Sequence, residues 1–399
     1  MNNNAQTKSR ARLSAGETLL ILALIVLSFF CLRWLVLSLH SNVTDTQGTT
    51  ATSTTRVPTT NASDARVDFT GSLEVFANNL ASDALSDLVY IRKIYKIPEN
   101  DLVAPKPDES KFGETNDPAV IQALIDGAAV LMEGQDTIWK PDIERFEGST
   151  MRYYCDETIL VVTWKEVYNG GVATFAEIKI ADGSQLRRAL SGNAFGSGIP
   201  LKATEMAASA NAVVAINGDF YANRQIGLSV YQRQICRNNG SVLDVCFFNT
   251  AGDMLMKHAG ELITNEEIEQ YIKDNDVLFG ISFGPILVEN GELQTIYSYP
   301  VGEIDSFYSR AAIAQKGERH YLLMTIGQEG VYERRCQVNK AAELIWSKGV
   351  DSAYALDGGQ TATMVMHGTT VNRVDWDSER TMSDIIYFAT AIPEKEVRP

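Results

Sequence analysis

The hydrophobic positions change rhythm several times along the chain. Thr18 to Leu39 is almost continuously apolar. As a helix this stretch spans about 33 Å at ~1.5 Å per residue, enough to cross a bilayer core. Arg33 interrupts it near the far end, where a long stem snorkels to the headgroups, and Trp34 suits the interface. Lys8, Arg10 and Arg12 precede the stretch, and Glu17 is the one acid there. The spacing therefore predicts a cytoplasmic tail over 1–17, a single transmembrane helix over 18–39, and an extracytoplasmic remainder. A cleaved signal peptide would have a shorter apolar run ending at a small-residue site. His40-Ser41-Asn42-Val43 offers none.

Residues 40–65 are Thr- and Ser-rich without apolar periodicity and predict a flexible stalk. In 66–150, Leu73, Phe76, Leu80, Leu85, Leu88 and Ile91 recur at near-helical spacing until Pro98, Pro105 and Pro107 break it. Asp117-Pro118 starts a second expected helix, Ala119–Glu133. This zone reads as a membrane-proximal helical region or an extension of the main domain.

From Tyr153 the period shortens to that of strands. Strands are expected at Thr158–Trp164, Val172–Ile180, Val213–Ile216, Ala311–Gln315, Tyr321–Ile326, Thr363–Met366 and Ile385–Phe388. Helices are expected at Thr204–Asn211, Asn265–Asp274 and Val338–Lys348, the last closed by Gly349. Asn238-Asn239-Gly240 and Glu289-Asn290-Gly291 read as hairpin turns. Without regular βαβ alternation, the fold class over 151–399 is α+β: a mixed, β-sheet-rich domain with interspersed helices.

Composition narrows the partners. The net charge is -15, and no basic stripe stands against it, so nucleic acid is excluded. Cys31 lies in the apolar run, and Cys155, Cys236, Cys246 and Cys336 follow it. Two disulfides or four free thiols both fit, and no C-x-x-C suggests zinc.

Familiar catalytic signatures fail on context. Gly280-Ile281-Ser282-Phe283-Gly284 fits G-x-S-x-G, but Pro285 and a strand follow where an elbow needs a helix. His40, His258, His320 and His367 have no partner context. No motif calls for a cofactor, and any metal requirement stays open, with Asp219 and Asp357 able to share an ion.

Three strand exits survive. Val213–Ile216 runs into Asn217-Gly218-Asp219-Phe220-Tyr221. Arg310 opens an apolar strand. Tyr354-Ala355-Leu356 ends in Asp357-Gly358-Gly359-Gln360-Thr361-Ala362-Thr363. Each alone reads as a turn; together they read as a site at strand mouths.

These residues resemble the phosphodiester glycosidase family. The resemblance rests on Asn217–Tyr221, on Ser282–Pro285 before Asn290-Gly291, on Ser309–Ala314, on Leu356–Thr363, and on Glu379–Asp384 before a last strand. It covers about 204–392. Ser309-Arg310-Ala311 and Gly359-Gln360-Thr361 depart from the family pattern, which bears on the substrate.

The resemblance implies hydrolysis of a sugar–O–phosphate bond through an oxocarbenium-like transition state. Asp357 and Asp219 would then activate water or support the cation. Arg310, and secondly Arg380, would clamp the phosphate. Gly358 and Gly359 would present N–H groups. Thr361 and Thr363 would add hydroxyls, and Asn217 with Gly218 would meet the sugar. Arg224, Arg233 and Arg237 would make the site locally basic or form a solvated edge. The expected substrate is a sugar-1-phosphodiester or phosphate-containing glycopolymer outside a bacterial membrane. The alternative is a non-catalytic glycan-binding or wall-assembly module on the same fold.

Overall fold

Strands dominate because β-branched and aromatic residues alternate in short runs between polar turns. The structure, a computed structural model, describes residues 95–128 and 149–393. These all fall within one compact unit, Leu80–Pro399. The expected tail, anchor, stalk and Leu73–Ile91 helix lie outside the described residues, as does the end of the Ala119–Glu133 helix.

The strands of the described residues form three sheets in which every pairing is antiparallel. The largest has the order β1 (Phe112–Thr115), β2 (Met151–Cys155), β3 (Ile159–Tyr168), β4 (Gly171–Ile180), β15 (His320–Gly327), β14 (Arg310–Gly317), β16 (Ser352–Leu356), β12 (Ile286–Glu289) and β13 (Glu292–Leu293). A second runs β10 (Met254–Lys257), β9 (Val245–Asn249), β11 (Val277–Ile281), β7 (Gly227–Tyr231), β8 (Gln234–Asn239). The third runs β18 (Thr369–Thr370), β17 (Met364–Met366), β6 (Val214–Asn217), β19 (Asp384–Phe388), β5 (Leu186–Leu190).

The large sheet is buried on both faces. Ala312, Ala314, Leu322 and Met324 pack with Ala341, Ala342 and Ile345 of helix α4 (Val338–Trp346). On the other face, Ala311, Ile313, Tyr321 and Leu323 meet Ile216, Phe248, Ile281 and Phe388 from the smaller sheets. Double burial explains why strands such as β14 and β15 read as unbroken apolar runs. Helix α2 (Ala203–Ser209) covers β6 and β19 through Met206 and Ala207, and α3 (Asn265–Asp274) covers β7 and β11 through Ile268 and Ile272.

Most expected elements appear within a few residues. Helix α1 (Pro118–Gly127) starts as expected, with the Asp117 side chain accepting from the Ala119 N–H. Gly349 closes α4 at φ 72°. Asn290-Gly291, at φ 51° and 77°, joins β12 to β13. Asn238-Asn239-Gly240 makes no hairpin. β8 turns back on β7 through Gln232-Arg233, at φ 48° and 65°, and Arg233 is braced there by Glu99 and Asp276. Several strands were not expected from the sequence; two of them, β5 and β8, are rich in arginine and amide side chains that mask their alternation.

Cys155, Cys236, Cys246 and Cys336 are all free thiols, which decides against disulfides. Cys336 and Cys246 pack on opposite faces of the large sheet.

Candidate active site

The strand exits meet because their sheets are stacked. Asn217 ends β6, and Asp357 follows β16. The Asn217 Nδ2 donates to the Asp357 carbonyl at 2.7 Å, and its Oδ1 accepts the Thr363 N–H at 3.1 Å. The Asp357 N–H donates to the Gly218 carbonyl at 3.2 Å. Asn217, 1 % exposed, is thus a brace between the two motifs rather than the sugar ligand expected of it. Gly218 is required for close approach, since a Cβ there would stand 2.6 Å from Asp384 Oδ1.

Asp219 is held on three sides. Its N–H donates to Asp384 Oδ1 at 2.7 Å, and its Oδ1 accepts from the Phe220 N–H and from Arg224 Nη2 at 2.7 Å. Beneath it, Asp384 Oδ2 pairs with Arg188 Nε at 2.5 Å, both side chains fully buried. Arg188 also donates to Ser229 Oγ and to the Val230 and Gly280 carbonyls. Burial pushes Asp384 up to about 6, against the pull of Arg188.

Asp357 lies at the cavity wall. Burial raises its carboxyl to about 7; a hydrogen bond from Thr361 and the charge of Arg380 oppose the rise, and Asp219 adds to it. The cavity measures about 420 Å³ and is lined by Phe220, Arg224, Arg310, Asp357, Gly358 and Arg380, among others.

The arginines divide differently from expectation. The Arg310 guanidinium donates to four backbone carbonyls, those of Cys336, Gly302, Glu303 and Ser306. That spends most of its five N–H groups. It pins the loop before β14, and desolvation lowers it to about 10. Arg380 instead is exposed, lies 5.1 Å over the Phe220 ring, and has no ion-pair or hydrogen-bond partner among the described residues. Arg224 bonds Asp219, the Ser282 carbonyl and the Ile226 carbonyl, and stacks 5.3 Å from the Phe283 ring. Arg233 is a solvated edge residue, and Arg237 is tied to the carbonyls of Tyr221, Arg224, Ile226 and Gly227.

The glycine turn is also partly spent. The Gly359 N–H donates to the Ser309 carbonyl at 2.7 Å, so it is no phosphate donor. A Cβ on Gly358 would stand 2.7 Å from that same carbonyl. Thr361 Oγ1 lies 2.9 Å from the Gly358 carbonyl and is shared between that carbonyl and the Asp357 carboxyl.

Seven buried side-chain polar atoms lack a partner among the described residues; Asp357 Oδ2 and Arg224 Nη1 belong to cavity-wall residues, and Asp219 Oδ2, Thr363 Oγ1 and Arg188 Nη2 to the hydrogen-bonded network behind them. Buried polar atoms are normally satisfied, so this concentration marks a place built for a polar ligand. Arg188 and Asp384 carry the site from below, and only Asp384 lies in a segment singled out from sequence. The signal for Arg188 was a charge at an inward-facing strand position, hidden because β5 itself was not read.

Among the described residues, no group of three or more His, Cys, Asp or Glu converges. Ser282 donates to the Leu228 carbonyl inside the core. His258, His320 and His367 pair with Glu289, Glu177 and Glu109 away from the cavity.

Compared with known proteins, residues 210–389 match the family model described as phosphodiester glycosidase. No curated protein matches the chain. Among solved structures, the catalytic domain of zebrafish N-acetylglucosamine-1-phosphodiester alpha-N-acetylglucosaminidase, auto-inhibited by its pro-peptide, aligns with a TM-score of 0.47 at 16% identity, covering 62% of this chain and 86% of that one. A hypothetical protein from Synechocystis aligns with a TM-score of 0.48 at 14% identity, covering 61% of this chain and 64% of that one.

Proposed function

Residues 210–389 are those of a phosphodiester glycosidase domain, and from that premise we propose that the protein hydrolyses the glycosidic bond of sugar-1-phosphodiesters in cell-surface glycopolymers. The observation that carries this reading is a carboxyl with near-neutral proton affinity facing an unpaired cation in one cavity: Asp357 at about 7, with Arg380 and the spare Nη1 of Arg224 in the same wall.

In the proposed reaction the C1–O(phosphate) bond breaks and water oxygen bonds to C1. The water proton passes to the Asp357 carboxylate, whose proton affinity lies near neutral pH where a general base works best. Asp219, fixed by Arg224 and Asp384, supports the positive charge that develops at C1. The leaving group is a phosphate monoester, which needs charge stabilisation more than protonation. Arg380 meets its oxygens with a planar fork, and Arg224 offers its unpartnered Nη1. The products are free sugar and a phosphomonoester.

The charge pattern of residues 1–39 supports a single-pass anchor with this domain outside the membrane. The test is incubation of the full-length protein in detergent with the methyl phosphodiester of N-acetylglucosamine 1-phosphate. Release of free sugar, lost in Asp357→Asn, supports the reading. Release of methanol instead, or turnover surviving Asp357→Asn, overturns it. Glycan binding without hydrolysis transfers the domain to the non-catalytic alternative.

A further inference from the structure

Trp376 is 71% exposed, yet it stands in a short turn between the buried residues Val374 and Asp375 and the left-handed Asp377. Trp376 itself has φ 59° and Asp377 φ 53°. A bulky residue in that region is strained, and such strain persists only where the surroundings fix it. Here they do. Ser309 Oγ donates to Asp375 Oδ1 at 2.9 Å, and Arg335 Nε bonds Asp375 Oδ2 at 3.1 Å. The Arg335 guanidinium lies 5.8 Å from the Trp376 ring centre. On the other side Gln360 Nε2 donates to the Ser378 carbonyl at 2.9 Å.

Both anchors lead to the cavity. Ser309 sits between Tyr308 and Arg310, and Gln360 follows Gly358 and Gly359, all four of these neighbours being cavity-wall residues. Arg380, also in the wall, comes two residues after Ser378. The turn that carries the indole is therefore tied to segments of the cavity wall, while the indole itself is open to solvent. An exposed flat ring beside a cation, in a strained turn that packs little of it, has the form of a platform for a sugar face with a phosphate alongside.

We propose that Trp376 and Arg335 form an outer subsite that binds the sugar unit on the far side of the scissile phosphate, so that the substrate is a phosphate-linked oligosaccharide chain. This rests on the phosphodiester reading above. The ring stacks on the sugar, and Arg335 pairs with the next phosphate.

The experiment compares two substrates in the full-length protein: the methyl diester and a short oligomer of N-acetylglucosamine 1-phosphate. In Trp376→Ala, the ratio of kcat/KM for the oligomer to that for the methyl diester falls about tenfold. Trp376→Phe restores most of it. Equal losses on both substrates would show that the turn only positions the catalytic loop, and no change on either would show that the ring is idle; both overturn the subsite. If the wild type hydrolyses neither diester, the reaction assignment fails, and the subsite is judged by oligomer titration alone. Binding weakened about tenfold by Trp376→Ala then supports it, while absent or unaltered binding overturns it.

Discussion

Asp384 accepts the backbone N–H of Asp219 on one carboxylate oxygen while its other oxygen holds Arg188. A wholly buried ion pair thereby fixes the position of a residue proposed to be catalytic. Removing one partner of such a pair costs about 3–5 kcal/mol, because a buried charge is left alone. Asp384→Ala is therefore expected to lower unfolding free energy by about that amount. Urea denaturation followed by far-UV circular dichroism measures it, and a loss below ~1 kcal/mol would contradict the role given to the pair.

Gly218→Ala places a Cβ 2.6 Å from Asp384 Oδ1, which accepts the Asp219 N–H on a carboxylate whose other oxygen is held by Arg188, so it has little room to swing away. The backbone must shift and carry Asp219 with it. A displacement near 1 Å costs on the order of 100-fold in rate. We expect turnover to fall by about that factor with a folded circular dichroism spectrum retained. Unchanged turnover would remove Asp219 from the reaction.

Asp357 titrates in opposite ways for stability and for catalysis. Its folded carboxyl is raised from its ordinary value of 3.8 to about 7. The unfolded chain binds fewer protons between those values, so stability present below ~4 is lost as pH rises through ~7. Asp357→Asn removes that loss and is expected to be more stable than wild type at pH 8, by up to ~4 kcal/mol, and inactive. Thermal melts of both proteins at pH 5 and pH 8 measure the difference; a wild-type advantage at pH 8 would reverse the assignment.

Arg310 and Arg380 should separate cleanly. Arg380→Ala leaves the melting temperature near wild type and raises KM for a phosphodiester about tenfold or more. Arg310→Ala frees four carbonyls in the loop before β14 and lowers stability by ~2 kcal/mol or more. Steady-state kinetics beside thermal melts distinguish them, and the reverse pattern would restore Arg310 as the clamp.

The free thiols give a simpler expectation. Dithiothreitol should leave the melting temperature unchanged. Cys246 and Cys336, both buried, should react with iodoacetamide only after unfolding. Mass spectrometry of labelled peptides reads both.

Much of this protein was written locally. The alternation of Val172–Ile180, the helical period of Asn265–Asp274 and the turn at Asn290-Gly291 each depend on a few neighbouring residues, so they were legible along the chain. The glycine- and aspartate-rich strand exits identified where chemistry would gather, because only loops at strand ends expose such groups together. The division of labour among those groups was not local. Asn217 became a brace and Arg310 a loop pin because residues more than a hundred positions away, or carbonyls turned inward by a loop, spent their hydrogen bonds. Arg188 entered beneath the site only when β5 paired with β19 and brought it against Asp384. A side chain's type states which bonds it can make; the packing of the three sheets decided which were left unspent at the cavity, and those unspent bonds define the chemistry proposed here.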